Sequence, residues 1–267
     1  MSTARVTSHI GKVNVRRLIA VLCFVLGVPG LTTAQTDSFD VPLKKTIVHL
    51  GPSPYYPAGK VQINLTCYIY SKFMVKEYDE GQKGAEWLSI VPFEAQTAPR
   101  CTRSHARAEK VIEEPEWGGY FGGAKSNLVF FRAADGSNGG MPFVVYDAKT
   151  GTKLFEDSLY DANMWNSKAK NSSFDSLRVR NATDGQIVLM YLRVADADCD
   201  LHREQAACWQ QIRKNLEVKS SETPVCSGYA NVTTRWASAV AYPVEVSLFP
   251  HPTTKTVNGP AKCWPVD

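Results

Sequence analysis

The sequence lacks the short motifs that mark the common catalytic centres. It contains no G-x-S-x-G segment and no H-E-x-x-H segment, so it gives no direct sign of an α/β-hydrolase nucleophile or a zinc protease. Four histidines lie outside the amino-terminal leader described next, each without a motif partner: His49, His105, His202 and His251. A catalytic site built from distant residues stays compatible with these absences, because such a site is defined in space.

Long apolar runs are also scarce. The one pronounced run covers residues 18–31, after a basic start and before the small residues 32–34. A basic start, an apolar stretch of roughly 14 residues and a small-x-Ala ending are typical of a secretory signal peptide. A membrane-spanning helix needs about 20 apolar residues. We therefore predict a signal peptide over 1–34, a single mature domain over 35–267, and no transmembrane anchor in the mature chain.

The mature chain has no excess of charge of either sign. The leader carries Arg5, Lys12, Arg16 and Arg17 and no acidic residue; without these four, the 30 basic residues fall to the number of acidic residues, 26. A formally neutral chain lacks the net positive charge that typifies binding to nucleic acid or to anionic lipid. We expect neither partner.

Cysteine usage agrees with export. Six cysteines follow the leader, and no two are spaced as C-x-x-C, which argues against a zinc site. An even number of cysteines in an exported chain indicates disulfides, although six permit 15 connectivities. We favour pairing between neighbours and a secreted or periplasmic location. The pairs are Cys67–Cys101, Cys199–Cys208 and Cys226–Cys263.

Strand patterns dominate the mature sequence. Apolar residues alternate strictly with polar or aromatic ones over 61–70, the period of a half-buried strand. A hairpin is expected over 73–91, around the turn-rich residues 79–84. Short strands at this spacing predict an all-β fold, an antiparallel sandwich-like or meander arrangement. The alternative is a β-propeller, because two Asp-Gly pairs, at 135–136 and 184–185, recur at a blade-like interval.

One short helix is expected near 204–216. Its apolar face would comprise Cys208, Trp209, Ile212 and Leu216, and Leu201 would extend that face if the helix began earlier. An unbroken helix from Leu201 would set Cys199 and Cys208 about 12 Å apart. A disulfide needs Cα atoms within roughly 7 Å. We therefore expect the disulfide, with the helix starting near residue 204.

Alternating acids precede this helix at Asp196, Asp198 and Asp200. Carboxylates are hard ligands that suit calcium, but the EF-hand pattern fails, because Leu201 and Ala207 stand where it needs Gly and Glu. Two interpretations of these acids remain: they bind calcium in another geometry, or they offset the helix dipole and one of them caps the helix. Calcium is the one cofactor that the sequence suggests.

A candidate ligand surface consists of Trp117, Tyr120 and Phe121, which stand beside glycines and acids. Such rings pack against apolar ligand faces, including those of sugars, and they also suit a protein core. With no catalytic motif, we expect an exported soluble binding module whose partner is a protein or a carbohydrate. The alternative is a secreted hydrolase whose site assembles only in three dimensions.

Overall fold

Antiparallel β-strands form most of the structure, as the sequence patterns predict. The computed structural model describes residues 39–57, 59–94, 98–113, 116–161, 176–182, 186–232 and 237–266, all within one compact unit that spans 36–267. The expected signal peptide over 1–34 lies outside the described residues. These residues form two open sheets rather than propeller blades.

Sheet A is a five-stranded meander in which each strand pairs with the next along the chain. Its period-two patterns divide residues between an inner face toward the second sheet and an outer face. The expected hairpin over 73–91 is present, with Tyr78 opposite Trp87. The strands are β1 (Lys44–Pro52), β2 (Gln62–Ile69), β3 (Phe73–Asp79), β4 (Trp87–Pro92) and β5 (Lys110–Glu113).

Sheet B has nine strands in the order β13-β12-β11-β9-β8-β7-β6, with β10 beside β11 and β14 beside β12. Hairpins join β6 to β7, β7 to β8, and β8 to β9. The strands are β6 (Gly119–Lys125), β7 (Leu128–Ala133), β8 (Gly140–Asp147), β9 (Lys153–Tyr160), β10 (Arg178–Asn181), β11 (Ile187–Ala197), β12 (Ser238–Ser247), β13 (Thr253–Thr256) and β14 (Lys262–Pro265).

The core between the sheets follows from this alternation. Val75 and Ile90 on the inner face of sheet A share one buried cluster with Phe131 and Val144 of sheet B. The opposite face of sheet B packs in a larger cluster with helix α1 (Leu201–Asn215). Sheet B is therefore buried on both faces over much of its area, which explains its continuous apolar runs.

Helix α1 starts earlier than expected and still accommodates the disulfide. Asp200 is its N-cap, and Gln205 has non-helical angles of φ 33° and ψ −101° that break the helix. Because of this break, the Cα atoms of Cys199 and Cys208 lie 5.8 Å apart. The expected start near residue 204 is therefore wrong: both features coexist because the helix is kinked.

The six cysteines form the three neighbour pairs expected from the sequence. Their Cα–Cα distances are 5.9 Å for Cys67–Cys101, 5.8 Å for Cys199–Cys208 and 4.6 Å for Cys226–Cys263. Disulfides persist in oxidising compartments, so these pairs indicate an oxidising, extracellular type of environment. Among the described residues, no helix is long and apolar enough to cross a membrane.

Candidate functional site

The aromatic residues singled out in the sequence lie between the sheets. The ring of Phe121 is 4.4 Å from that of Tyr68 on β2, and Trp117 packs partly buried against the same core. The guanidinium of Arg132 sits 4.7 Å from the ring centre of Tyr120. The hydroxyl of Tyr120 also accepts a hydrogen bond from the Gly84 amide, in the β3–β4 turn of sheet A, at 2.8 Å. All three residues therefore contact both sheets or the core between them, and their role in ligand binding stays a prediction.

The acids before α1 are not brought together as a metal centre. Asp200 is buried and its carboxylate accepts a hydrogen bond from the Arg203 amide at 3.1 Å. Asp196 accepts from the side-chain amide of Asn138, and Asp198 is exposed. Within the described part of the chain, no three His, Cys, Asp or Glu side chains are grouped to hold a metal ion. The helix-cap role is confirmed for Asp200.

Two further carboxylates occupy the inner face of sheet A. Glu77 accepts a hydrogen bond from the Phe121 amide at 2.7 Å, and Asp79 accepts one from the Gly81 amide at 2.7 Å. Burial raises the pKa of both carboxyl groups, and the charge of Asp79 raises the pKa of Glu77 further. Along β3, Glu77 and Asp79 continue the row of alternate positions that Phe73 and Val75 begin. Acids in a row that starts with apolar residues were the sequence signal for these two carboxylates.

An ion-pair network lies on the outer face of sheet A. Lys76 and Glu109 are joined at 2.9 Å, with side chains 2% and 0% exposed. The Glu109 carboxylate also accepts hydrogen bonds from the Ser89 hydroxyl at 2.6 Å and the Ala106 amide at 2.7 Å. His105 contacts it at 3.0 Å. The network fastens the segment before β5 onto the sheet, which is a structural role.

The exposed apolar side chains are concentrated at the start of sheet A. Of the eight large hydrophobic residues that are exposed in the described part of the chain, six lie between positions 41 and 56. Isolated exposed apolar residues are ordinary, whereas this concentration along one stretch of chain makes the stretch a candidate interaction segment. The six residues are Val41, Leu43, Ile47, Leu50, Tyr55 and Tyr56.

Strand β1 carries the centre of this cluster. Ile47 lies opposite Thr66 of β2, which lies opposite Glu77 of β3, so all three share the inner face of sheet A. Leu43 precedes Ile47 by four positions and falls on the same face. Leu43 is 74% exposed and Ile47 is 50% exposed. Sheet B therefore does not cover the inner face of sheet A as far as β1.

The outer edge of β1 is also open. It is the terminal strand of its sheet and no described strand pairs with its other side. The edge strand β6 differs, because its backbone is engaged by Glu77 at Phe121, by the Ala85 amide at Gly119 and by the Asp40 amide at Ala124. Strands β5 and β13 have only four residues. Of these edges, β1 combines the greatest open length with exposed apolar side chains.

We define the β1 edge site as strand β1 together with the six exposed apolar residues between positions 41 and 56. Alternate residues of an edge strand direct their backbone N–H and C=O groups away from the sheet, where another strand can pair with them. Two basic residues, Lys44 and Lys45, stand at its start, and β1 contains no acid. Comparisons with protein-family models, with curated proteins and with solved structures give no match to this chain.

Proposed function

We propose that this protein is an exported binding module that captures an extended segment of another protein at the β1 edge site. The observation that carries the proposal is the coincidence of an open strand edge with six exposed apolar side chains. An exposed apolar edge is a liability for aggregation unless a partner covers it. A partner strand added to this edge would gain main-chain hydrogen bonds along β1.

The chemistry of β1 specifies the partner. Apolar side chains at alternate positions of the ligand would pack beside Leu43 and Ile47, since neighbouring strands align side chains on each face. Acidic side chains would pair with Lys44 and Lys45. A second copy of β1 is a poor match, because it brings more lysines and no acid. The ligand is therefore an extended apolar and acidic segment of a different protein.

A protein ligand is favoured over a carbohydrate because of where the aromatic rings lie. A sugar-binding site commonly presents the flat face of an aromatic ring to its ligand. Here the ring of Phe121 contacts that of Tyr68, and Arg132 covers the ring of Tyr120. The exposed rings Tyr55 and Tyr56 follow β1 closely along the chain, at the end of the open edge. Export to a secreted or periplasmic location follows from the leader and is supported by the three disulfides.

The test begins with peptides selected from a displayed library of extended sequences, using mature protein with intact disulfides. Selected peptides are then titrated against the wild type and against the double variant Leu43→Asp/Ile47→Asp. The expected loss of affinity is tenfold or more, because a charge would replace the apolar contact on each residue and repel the acidic ligand. The matched control is Val225→Asp, an apolar residue 94% exposed and outside the site.

Methylation of alternate backbone nitrogens in a selected peptide separates strand addition from simple apolar contact. Strand pairing requires those N–H groups, so one methylation register should abolish binding and the other should retain it. The proposal is overturned if both registers bind equally, if the double variant binds like the control, or if no library peptide binds. Self-association that protects β1 would identify a second copy as the occupant and would also overturn it.

A further inference from the structure

A groove opens at the end of the molecule where several turns of the two sheets meet. Its volume is about 840 Å³, within the range of small-molecule sites. The β2–β3 turn, the end of β4, the β6–β7 turn and the β8–β9 turn contribute to its wall. Its lining includes Lys72, Phe73, Phe93, Asn127, Ala148 and Lys149.

The floor of the groove is the open end of the core between the sheets. Phe73 and Ala148 are each only 2% exposed and belong to that buried cluster. Phe93 is partly exposed beside them and packs on the outer side of sheet A. The floor is therefore apolar and continuous with packed residues, so it cannot collapse without disturbing the core.

The walls of the groove are held in place by backbone hydrogen bonds. The Ala148 amide donates to the Asn127 carbonyl at 2.7 Å, and the Phe93 amide donates to the Lys72 carbonyl at 2.9 Å. The carboxylate of Asp147 accepts from the Lys149 amide at 2.9 Å, which fixes the turn that carries this lysine. The groove is thus present before any ligand binds, and ordering it costs little on binding.

Two cations flank the apolar floor. Lys72 and Lys149 are exposed, and neither forms an ion pair with a carboxylate in the described part of the chain. Glu94 is the one acidic side chain in the lining. The lining charges thus favour an anion over a cation, and the floor favours an apolar body.

We infer that this end groove binds a small organic anion that has an apolar body, of the class of aromatic carboxylates. The apolar body packs on the floor that Phe73 and Ala148 close and removes the exposed part of Phe93 from water. The carboxylate lies between the ammonium groups of Lys72 and Lys149. This site shares no residue with the β1 edge site, so either can fail without the other.

Equilibrium dialysis of 2-naphthoate against mature protein, followed by naphthalene fluorescence, tests the inference. The neutral 2-naphthamide has the same ring system and is the matched ligand. We expect the carboxylate to bind at least about threefold more tightly than the amide at low salt, with the difference shrinking at high salt. Equal binding of the two ligands, or no binding of naphthoate at millimolar concentration, overturns the inference.

Variants locate the binding. Lys72→Gln/Lys149→Gln should weaken naphthoate binding by about threefold or more, and leave naphthamide binding unchanged. Lys214→Gln/Lys219→Gln removes the same charge from exposed positions on and after α1 and is the control. Asn127→Trp should block both ligands, because its ring fills the groove while the backbone carbonyl that holds Ala148 stays. The inference fails if the two lysine variants bind alike or if Asn127→Trp binds both ligands normally.

Discussion

Replacing Glu109 by alanine should destabilise the domain more than most single substitutions. The side chain of Glu109 is buried, and its carboxylate accepts hydrogen bonds from Lys76, Ser89 and the Ala106 amide. Without its carboxylate, the ammonium of Lys76 stays buried with only the Ser104 carbonyl as its described acceptor. Breaking a buried ion pair on one side costs about 3–5 kcal/mol, because the remaining charge is uncompensated.

The size of this effect can be read from thermal or urea unfolding of the mature protein with its disulfides intact. For a domain of this length, 1 kcal/mol corresponds to roughly 2–4 °C in melting temperature, so Glu109→Ala should lower it by about 6–20 °C. The double variant Lys76→Met/Glu109→Leu should recover much of the loss, because it removes both charges.

The exposed pair between Lys153 and Glu156 provides the control. Lys153→Gln should change the free energy of unfolding by less than about 1 kcal/mol. The reasoning is refuted if Glu109→Ala unfolds at the same temperature as Lys153→Gln, or if the double variant is no more stable than Glu109→Ala. Either result would mean that removing one partner of the Lys76–Glu109 pair does not lower the free energy of unfolding as expected.

The same network sets a dependence on acid pH. Burial alone would raise the pKa of Glu109, but hydrogen bonds from Ser89 and Lys76 outweigh it and hold the pKa below its ordinary value of 4.5. A lowered pKa in the folded state stabilises the fold above pH 4.5, and this contribution is lost as pH falls through the lowered value. The stability difference between wild type and Glu109→Gln should therefore shrink as the pH falls below 4.5.

Three further predictions concern other parts of the domain. Burial raises the pKa of Glu77, so its negative charge opposes folding at neutral pH. In urea unfolding at pH 7.5, Glu77→Gln should be at least as stable as wild type. The stability advantage of the variant should shrink toward pH 5. Gly139→Ala should lower the melting temperature, because Gly139 has φ +77° and a Cβ would lie 2.5 Å from the Trp264 ring; an unchanged melt would contradict the packing. Replacing Cys67 and Cys101 by alanine should cost about 4 kcal/mol in the free energy of unfolding, since their bridge closes 34 residues.

The sequence predicted those features that depend on local pattern. The alternation over 61–70 corresponds to β2, and the turn-rich residues 79–84 join β3 to β4. Pairing between cysteines that are neighbours along the chain was also predicted correctly. Cys67–Cys101 spans 34 residues and Cys226–Cys263 spans 37, and one partner of each lies in a loop beside a strand that carries the other.

Features that depend on which face each sheet buries could not be predicted. Lys76 and Glu109 are 33 residues apart, and nothing in either segment indicates that they pair. Strand β1 was not predicted from the sequence, and Ile47 is exposed because sheet B does not extend over it. The break at Gln205 was also hidden, because its neighbours all favour a helix and the disulfide constraint prevails over their propensity.

Amide hydrogen exchange along β1 tests the central proposal most directly. In the free mature protein, alternate amides of Lys44–Pro52 should exchange rapidly, because the outer edge has no partner in the described structure. A selected acidic and apolar peptide should slow those same amides and leave the Val225 region unchanged. Uniform protection of β1 in the free monomer, or peptide binding without any slowing at β1, would contradict the account.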